Sequence, residues 1–465
     1  MTFSTITIRL ILFASSMLCW MHLKAHEVNR PIIIVILTED QRWDALCYAG
    51  NDIIHTPTLD ALAEKSLYFK NAFVTTPICA ASRASIVTGL YERTHQFTFR
   101  TPPLQKEFVE ISYPKLLQDA GYRTGLFGKF GMQFENKLDT IVFDEFYSTG
   151  TGGYFRLEGD GWKDHVHLTD LTTDKAIDFI KNTPDGQPFC LSISYNAAHA
   201  DDQHPQQYFW PKRNDYLYQD IEIPQGQLHD EKLFAQLPDF LQDSMYLGNI
   251  RYKWRYDTPE KYQQMVKGYY RLISTIDDNV GRLRDMLTAN DLADNTIIIF
   301  LGDNGYFLGE RNQAGKWLMY ENSLRVPLMV YDPQISSGRS LEQIALNIDV
   351  APTVLDYAGI IIPEEVQGKS LKPFTQGDTE DWRTEFLCEH LYELPYIPKS
   401  EGIRTEQWKY FRYIDHPETE ELYNLAEDPL ELVNLINDPS QRKRIAIYRQ
   451  KLDDKIASLQ ANRVK

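Results

Sequence analysis

Polar clusters follow two apolar runs of the chain, and their residue types suit metal-assisted chemistry. Glu39 and Asp40 come directly after one run, and Asp303 and Asn304 come directly after another. Each cluster alone has a simpler explanation, because acids and amides after a strand commonly form turns or cap the next helix. Together they supply three carboxylates and an amide oxygen. All-oxygen ligands of this kind favour Ca²⁺ or Mg²⁺ over a soft metal.

One cysteine stands in an unusual setting. Cys79 lies in the stretch TPICAASRASIVTG, residues 76–89, where a turn sequence runs into a helical pattern that also carries Arg83. The thiol has three interpretations: a buried structural cysteine, a thiolate nucleophile, or the precursor of a modified residue. Three other cysteines are far apart, without zinc-type or paired spacing, and predict neither a zinc site nor a disulfide framework: Cys47, Cys190 and Cys388.

Short apolar runs alternate with helical patterns, which predicts an α/β fold. We expect buried parallel strands at residues 31–37, 189–195, 296–301 and 326–331, in a sheet with helices on both faces. Functional sites of such sheets gather at the carboxyl ends of the strands. The acidic clusters and the segment that ends at His199 are therefore expected to meet at one edge.

Composition limits the classes of function. The chain has 465 residues and a formal net charge of -17, which argues against general nucleic-acid binding and requires a local basic pocket for any anionic substrate. Arg9 followed by an apolar run predicts a signal peptide at residues 1–25 and export to the periplasm or the medium. Cys19 leaves a lipoprotein as the alternative. No later apolar run is long enough for stable membrane insertion.

After the predicted signal peptide, the chain divides into two predicted domains, the first of which carries an insertion. A catalytic α/β domain is expected at residues 26–370, and a smaller α+β unit with a short antiparallel sheet at residues 371–465. Residues 200–262 are rich in tyrosine, tryptophan and charge, and we interpret them as an insertion that forms an aromatic rim around the substrate.

The motif around Cys79 resembles a known signature. Residues 79–83, CAASR, are similar to the sulfatase signature Cys-x-Pro/Ala-x-Arg. Further segments resemble the same family in the same order along the chain: the acids at 39–40, Gly-Lys at 128–129, Asn-Ala-Ala-His at 196–199, Gly-Asp-Asn-Gly at 302–305, Lys316 with residues 320–327, and the tail at 421–435. The chain is therefore similar to the formylglycine-dependent type I sulfatases, which have an alkaline phosphatase-like fold.

The resemblance implies a role for each matched residue. Cys79 would be oxidised to formylglycine by a separate maturation enzyme, and Arg83 would stabilise the resulting nucleophile. Ca²⁺, with Mg²⁺ as the alternative, would be bound by Glu39, Asp40, Asp303 and Asn304 together with the converted Cys79. Lys129 and Lys316 would bind the sulfate oxygens, and His199 would protonate the leaving group.

The chain departs from the family pattern at three positions. Glu39 stands where Asp is usual, and Ala81 stands where proline is common, which can restrict the choice of maturation enzyme. Gly131 occupies the place of a histidine that is thought to help break down the sulfated intermediate. His95 is our candidate for its replacement.

Export and the aromatic segment favour a sulfated carbohydrate as the substrate. His204 and Arg404 are candidate substrate contacts, with Tyr208, Trp210, Arg255 and His390 as further possibilities. Two alternatives stay open at this point. One is a phosphomonoester or phosphodiester hydrolase of the same superfamily, and the other is a binding protein for sulfated glycans that has lost turnover.

Overall fold

The computed structural model describes residues 30–99, 102–150, 154–157 and 165–461, so the predicted signal peptide lies outside the described residues. Its strands are β1 Ile32–Thr38, β2 Ser66–Phe73, β3 Arg123–Gly128, β4 Glu145–Ser148, β5 Phe155–Leu157, β6 His165–His167, β7 Phe189–Ser194, β8 Thr296–Gly302, β9 Phe307–Leu308, β10 Ala314–Gly315, β11 Leu328–Tyr331, β12 Arg339–Leu346, β13 Glu385–His390, β14 Ser400–Thr405, β15 Trp408–Tyr413 and β16 His416–Asn424.

The described α-helices lie between and after these strands. They are α1 Pro57–Ala63, α2 Cys79–Thr88, α3 Glu92–His95, α4 Lys106–Glu110, α5 Tyr113–Asp119, α6 Leu168–Lys181, α7 Glu231–Ala235, α8 Asp239–Gln242, α9 Leu247–Arg255, α10 Pro259–Ala289, α11 Glu321–Leu324, α12 Val350–Tyr357 and α13 Arg442–Ala461. No helix in these described parts is long and apolar enough to cross a membrane.

Eight strands form the central sheet, in the order β12-β2-β11-β8-β1-β7-β3-β4. Strand β1 is central and pairs in parallel with β8 on one side and β7 on the other. The four predicted strands are present, but the predicted direction of the last one is wrong. Strand β11 runs antiparallel to both β2 and β8. The chain turns back after β8, so β11 begins beside the end of β8, where Leu328 pairs with Leu301.

Both faces of the central sheet are covered, as the apolar runs predict. Alternate residues of β1 point to opposite sides, since the side-chain period of a strand is two residues. Ile32, Ile34 and Ile36 pack into one core with α1, α6 and α10, while Ile33, Val35 and Leu37 pack into the other with α2, α5 and α12.

A four-stranded antiparallel sheet, β13-β14-β15-β16, forms the C-terminal part. It shares a hydrophobic core with the end of β2, where the rings of Phe73 and Phe386 stack at 5.1 Å between centroids. The backbone N–H of Glu389 also donates to the carbonyl of Thr75, at 2.8 Å, just before the Cys79 helix. The C-terminal sheet therefore supports the segment that leads to Cys79.

Part of the aromatic segment, predicted to form a rim around the substrate, is buried instead. Tyr208 and Tyr256 are buried and pack in the core against α10. The ring of Trp210 lies beneath the guanidinium of Arg271, at 4.5 Å. Apolar faces of these rings are more stable inside than in water, so these rings extend the core, whereas Tyr216 and Trp254 of the same segment are exposed.

Asp277 in α10 gives a pH-dependent contribution to stability. Its buried carboxylate accepts hydrogen bonds from the backbone N–H groups of Thr58 and Leu59 at the start of α1. Burial raises the pKa of Asp277 to about 7 in spite of these bonds. The pKa of Asp277 is higher in the folded protein than in the unfolded chain. Asp277 therefore makes its full contribution to the free energy of unfolding below about pH 4, and this contribution is lost as the pH rises through 7.

We expect Asp277→Asn to remove this pH dependence. The free energy of unfolding of the variant should improve relative to wild type between pH 4 and pH 8, by at most about 4 kcal/mol. Thermal or urea unfolding across that range measures the difference, and Asp285→Asn on the exposed side of the same helix is the control. Parallel stability curves for wild type and Asp277→Asn would contradict the assignment.

Candidate active site

The candidate active site lies at the carboxyl ends of β1, β7, β8 and β3. The loops after β1 and β7 are joined by two backbone hydrogen bonds: Glu39 N–H donates to Ala197 O at 3.0 Å, and Ala198 N–H donates to Glu39 O at 2.7 Å. Asp303 N–H donates to Thr38 O at 2.9 Å and fixes the loop after β8 beside them. The two acidic clusters are thus adjacent, as their positions after parallel strands predict.

Gly128 brings the end of β3 close to the same point. Its φ is +109°, and a Cβ atom there would lie 1.9 Å from the carbonyl oxygen of Ser194. No other residue fits this close approach of the two backbones. The next residue, Lys129, donates its backbone N–H to that carbonyl at 2.8 Å, which fixes the direction of its side chain.

Two lysines face the first pair of acids. The Nζ atom of Lys129 donates to Glu39 Oε1, and the Nζ atom of Lys316 donates to Asp40 Oδ1 at 2.5 Å. All four side chains are buried. Burial alone would raise the pKa of Glu39, but the positive charge of Lys129 and its neighbours lowers it below the ordinary value. Conversely, burial opposes the charge of Lys316, while Asp40 raises the pKa of this lysine overall.

The helix that starts at Cys79 supplies a third cation. Arg83 lies one turn after Cys79 on the same side of α2, since residues four apart share a helix face. Its Nε donates to Asp303 Oδ2 at 2.9 Å and its Nη1 to Lys129 O at 2.6 Å. Asp303 Oδ1 in turn accepts from Asp40 N–H at 3.1 Å. Cys79, itself buried, therefore starts a helix whose next turn is anchored in the acidic cluster.

Three oxygen atoms of this cluster lack a partner. Glu39 Oε2, Asp40 Oδ2 and Asn304 Oδ1 are buried and have no hydrogen bond with any described residue. The amide of Asn304 donates to Asp40 Oδ1 at 2.6 Å, so its own oxygen faces away from that bond. Buried oxygens without donors are costly unless a cation binds them. Their chemistry fits Ca²⁺ or Mg²⁺.

His199 lies at the more open side of the cluster. Its Nδ1 is 2.7 Å from the carbonyl oxygen of Ala200, which makes Nδ1 the protonated nitrogen of the neutral ring. Its Nε2 lies 3.8 Å from Glu39 Oε1 and 4.0 Å from Asp40 Oδ2. Burial lowers the pKa of His199 despite these carboxylates. The side chain is still 29% exposed, so Nε2 can face an incoming substrate.

The structure overturns the assignment of His95 as a replacement catalytic histidine. The ring is buried behind α2, where Nδ1 accepts from the backbone N–H of Phe97 at 3.1 Å and Nε2 lies 3.0 Å from Ser85 Oγ. Burial also lowers its pKa to about 3. With both nitrogens bonded locally, His95 has no free atom for proton transfer in the cluster.

The two proposed substrate contacts, His204 and Arg404, have no described hydrogen bond to the side chains of the cluster. His204 is exposed and packs edge-on against Phe209, with 4.7 Å between ring centroids. Arg404 is buried in β14, where it pairs with Glu321 and lies 4.3 Å above the ring of Phe73. Its charge is used inside the protein, so the prediction that it binds substrate is wrong.

Two further residues shape the cluster, and the sequence points to only one of them. Ser194 accepts a hydrogen bond from Arg83 and donates to Lys129 O at 2.7 Å, but a serine at the end of a strand carries no recognisable signal. Gly131 has a φ of +70°, and a Cβ atom there would lie 3.1 Å from Arg83 Cδ and 3.5 Å from Lys129 Cε. The glycine therefore borders the cluster directly, and a side chain there would be strained and crowd Arg83.

Comparison with known proteins identifies the family. Residues 31–360 match the sequence profile described as Sulfatase. This chain belongs to the sulfatase family. Residues 309–461 also match the profile of the C-terminal part of N-sulphoglucosamine sulphohydrolase. The predicted fold and the predicted sulfuric ester hydrolase activity are confirmed, and formylglycine and a metal ion are typical of this family.

Individual relatives cover most of the sulfatase chain. An N-acetylglucosamine-6-O-sulfatase of Bacteroides thetaiotaomicron is 30% identical and covers 96% of this chain and 90% of its own. A choline-sulfatase of Rhizobium meliloti is 30% identical, with 88% and 83% covered. A solved structure in complex with its substrate, D-glucosamine-2-N,6-O-disulfate, has a TM-score of 0.77 at 27% identity, with 93% and 99% covered.

One solved structure shares the fold alone. The phosphonate monoester hydrolase of Agrobacterium radiobacter has a TM-score of 0.78 at 21% identity and covers 94% of this chain and 96% of its own. The alkaline phosphatase-like architecture is therefore common to enzymes that cleave different bonds, and the site must decide the reaction.

We expect a divalent cation to stabilise the folded sulfatase through the unpartnered oxygens. After EDTA treatment, Ca²⁺ or Mg²⁺ at about a hundred times its dissociation constant should add about 2.7 kcal/mol to the free energy of unfolding. Glu39→Gln should reduce this gain, whereas Glu310→Gln, which removes another buried carboxylate at the same edge, should keep it. Thermal unfolding with and without each cation measures the effect. A wild-type melting temperature that is the same with and without either cation would exclude such a site.

Proposed function

We propose that this sulfatase hydrolyses an O-sulfate ester on a carbohydrate, with amino sugars of the N-acetylglucosamine 6-O-sulfate class as the first candidates. The observation that carries the proposal is the convergence of Arg83, Lys129 and Lys316 on one acidic cluster beside Cys79. Similarity to an N-acetylglucosamine-6-O-sulfatase over 96% of the chain supports the amino-sugar class.

Two groups that complete the chemistry are proposed for this site. Conversion of Cys79 to formylglycine by a maturation enzyme would supply a geminal diol as the nucleophile, which can later expel sulfate through its second hydroxyl. Ca²⁺ bound by Glu39, Asp40, Asp303 and Asn304 would supply Lewis acidity to the sulfate and lower the pKa of the nucleophile. Four oxygen-bearing side chains favour Ca²⁺, and Mg²⁺ is the alternative.

The side chains of the cluster have separate tasks. Lys129 and Lys316 neutralise negative charge on the non-bridging sulfate oxygens as it grows in the transition state. Arg83 holds Asp303 and the end of β3 in place, and its charge favours the deprotonated nucleophile. His199 is placed to give a proton from Nε2 to the leaving oxygen. Because Nδ1–H is bonded to the carbonyl of Ala200, the ring must carry a second proton, at Nε2, when it does so. The proton is needed because a sugar alkoxide is a poor leaving group without protonation.

Sulfate release tests the proposal directly. We expect the enzyme to release sulfate from N-acetylglucosamine 6-O-sulfate and to prefer 4-nitrophenyl sulfate over 4-nitrophenyl phosphate. Cys79→Ala should lose at least about a thousandfold in kcat, since the nucleophile is gone, while Cys388→Ala, which alters another buried cysteine, should stay active. Faster phosphate release would support the phosphoester alternative. Tight binding of sulfated glycans without turnover, with Cys79 converted, would support the binding-protein alternative.

The role of His199 predicts a dependence on the leaving group. His199→Ala should slow a sugar sulfate by about 10²–10⁴-fold, because the alkoxide then leaves unprotonated. It should slow 4-nitrophenyl sulfate much less, since nitrophenolate leaves readily without a proton. His204→Ala, an exposed histidine on the same loop, is the control. Equal losses on both esters would exclude His199 as the proton donor.

A further inference from the structure

A second basic group lies beside the cluster and takes no part in the chemistry described so far. Arg251 of α9 donates to Asp202 Oδ2 through Nη2, and its guanidinium lies over the ring of Trp317, 4.9 Å from the centroid. The aromatic ring and the carboxylate together fix the plane of the guanidinium.

The contacts place this group at the edge of the active site. Trp317 directly follows Lys316, and its ring packs against Ile78 and Ala81 on either side of Cys79. Asp202 follows His199 by three residues. Burial opposes the charge of this aspartate, but the positive charges of Arg251 and Arg255 lower its pKa overall. Arg251 is therefore joined on one side to the lysine segment and on the other to the histidine loop.

The charges around Arg251 do not cancel. Asp202 accepts from both Arg251 and Arg255, so one negative charge faces two positive charges and the group carries a net charge of about +1. Arg255 is fully buried and is further bonded to Gln207 and to the hydroxyl of Tyr306. In the acidic cluster, by contrast, three cations meet three carboxylates. The excess positive charge beside the cluster thus belongs to Arg251.

Arg251 also has donors to spare. Its Nε is buried without a hydrogen-bond partner among the described residues, and its Nη1 makes no hydrogen bond there either. Its side chain is 13% exposed, so part of the guanidinium reaches solvent. An arginine that is held rigid, in charge excess and with its Nη1 without a partner is suited to bind an anionic group such as a sulfate or a carboxylate. In a chain of net charge -17, such a group is a specific local attraction.

We propose that Arg251, held by Asp202 and Trp317, binds a second anionic group on the sulfated substrate. The inference rests on the proposed sulfatase function and narrows its substrate class to sugars that carry a further sulfate or a carboxylate beside the ester to be cleaved. Arg251 is a substrate-binding residue in this assignment and does not act on the reacting atoms.

Binding can be measured separately from turnover. In the Cys79→Ala background, calorimetry compares N-acetylglucosamine 6-O-sulfate with glucosamine 2-N,6-O-disulfate and with a disaccharide of uronic acid and N-acetylglucosamine 6-O-sulfate. We expect Arg251→Ala to weaken binding of a doubly anionic ligand by about tenfold or more, as expected for a charged hydrogen bond, and to change the singly sulfated sugar by less than about threefold. The ligand that is affected identifies whether sulfate or carboxylate is bound.

Two further variants control for charge and folding. Lys253→Ala removes an equal charge from the exposed side of the same helix and should leave all three affinities unchanged. Arg251→Lys keeps the charge but loses the planar fork, and it should recover part of the affinity. The proposal is overturned if Arg251→Ala weakens the binding of all three ligands equally, or if it weakens the binding of none. It is also overturned if none of the three ligands binds at all. If wild type binds with this preference but hydrolyses no sulfate ester, the proposed function fails and the role of Arg251 stands.

Discussion

The active site depends on a balance of buried charge. Glu39, Asp40 and Asp303 are almost completely removed from water, and so are Arg83, Lys129 and Lys316. Each ion costs several kcal/mol to bury, and only close pairing with good geometry offsets that cost. The six side chains come from five separate segments of the chain. The fold must therefore bring these segments together within hydrogen-bonding distance, or none of the charges can remain buried.

The central sheet meets this requirement through parallel register. Leu37 of β1 pairs with Ser194 of β7 and with Leu301 of β8, so the three loops that follow leave the sheet at one level. Backbone hydrogen bonds between the loops then fix the acids. Strand β3 adds Lys129 only because Gly128 allows its backbone to approach Ser194. The helix that starts at Cys79 enters from the other side of β1, after β2.

Features that follow from local patterns are predictable from the sequence. Runs of isoleucine and valine indicate buried strands, and acids directly after them indicate the site edge, so Glu39, Asp40, Asp303 and Asn304 could be placed together. The family motif around Cys79 also picked out Arg83, which bonds Asp303 in the cluster, and the role of Cys79 as the nucleophile stays a prediction. The placement of the acids and of Arg83 succeeds because strand identity and residue type carry the information.

Other features depend on long-range packing that the sequence does not display. An apolar run has no direction, so the antiparallel orientation of β11 was not visible. His95 looks available in the sequence, yet Ser85 of α2 and the backbone of Phe97 supply partners for its two ring nitrogens. Tyr208 and Tyr256 look available for an aromatic rim in the sequence, yet both pack in the core with α10. Arg251 gives no signal at all, because its importance comes from Asp202 and Trp317, which are distant in sequence.

The contact between the C-terminal sheet and the start of the Cys79 helix has a consequence for synthesis. Just before Cys79, the ring of Phe73 stacks on Phe386, and the carbonyl of Thr75 accepts a hydrogen bond from Glu389. The strands on either side of β2, which are β11 and β12, also come late in the chain. During translation the segment around Cys79 therefore cannot form these contacts until most of the protein has emerged from the ribosome. The proposed conversion of Cys79 would have to take place in that interval, because the finished fold buries the thiol.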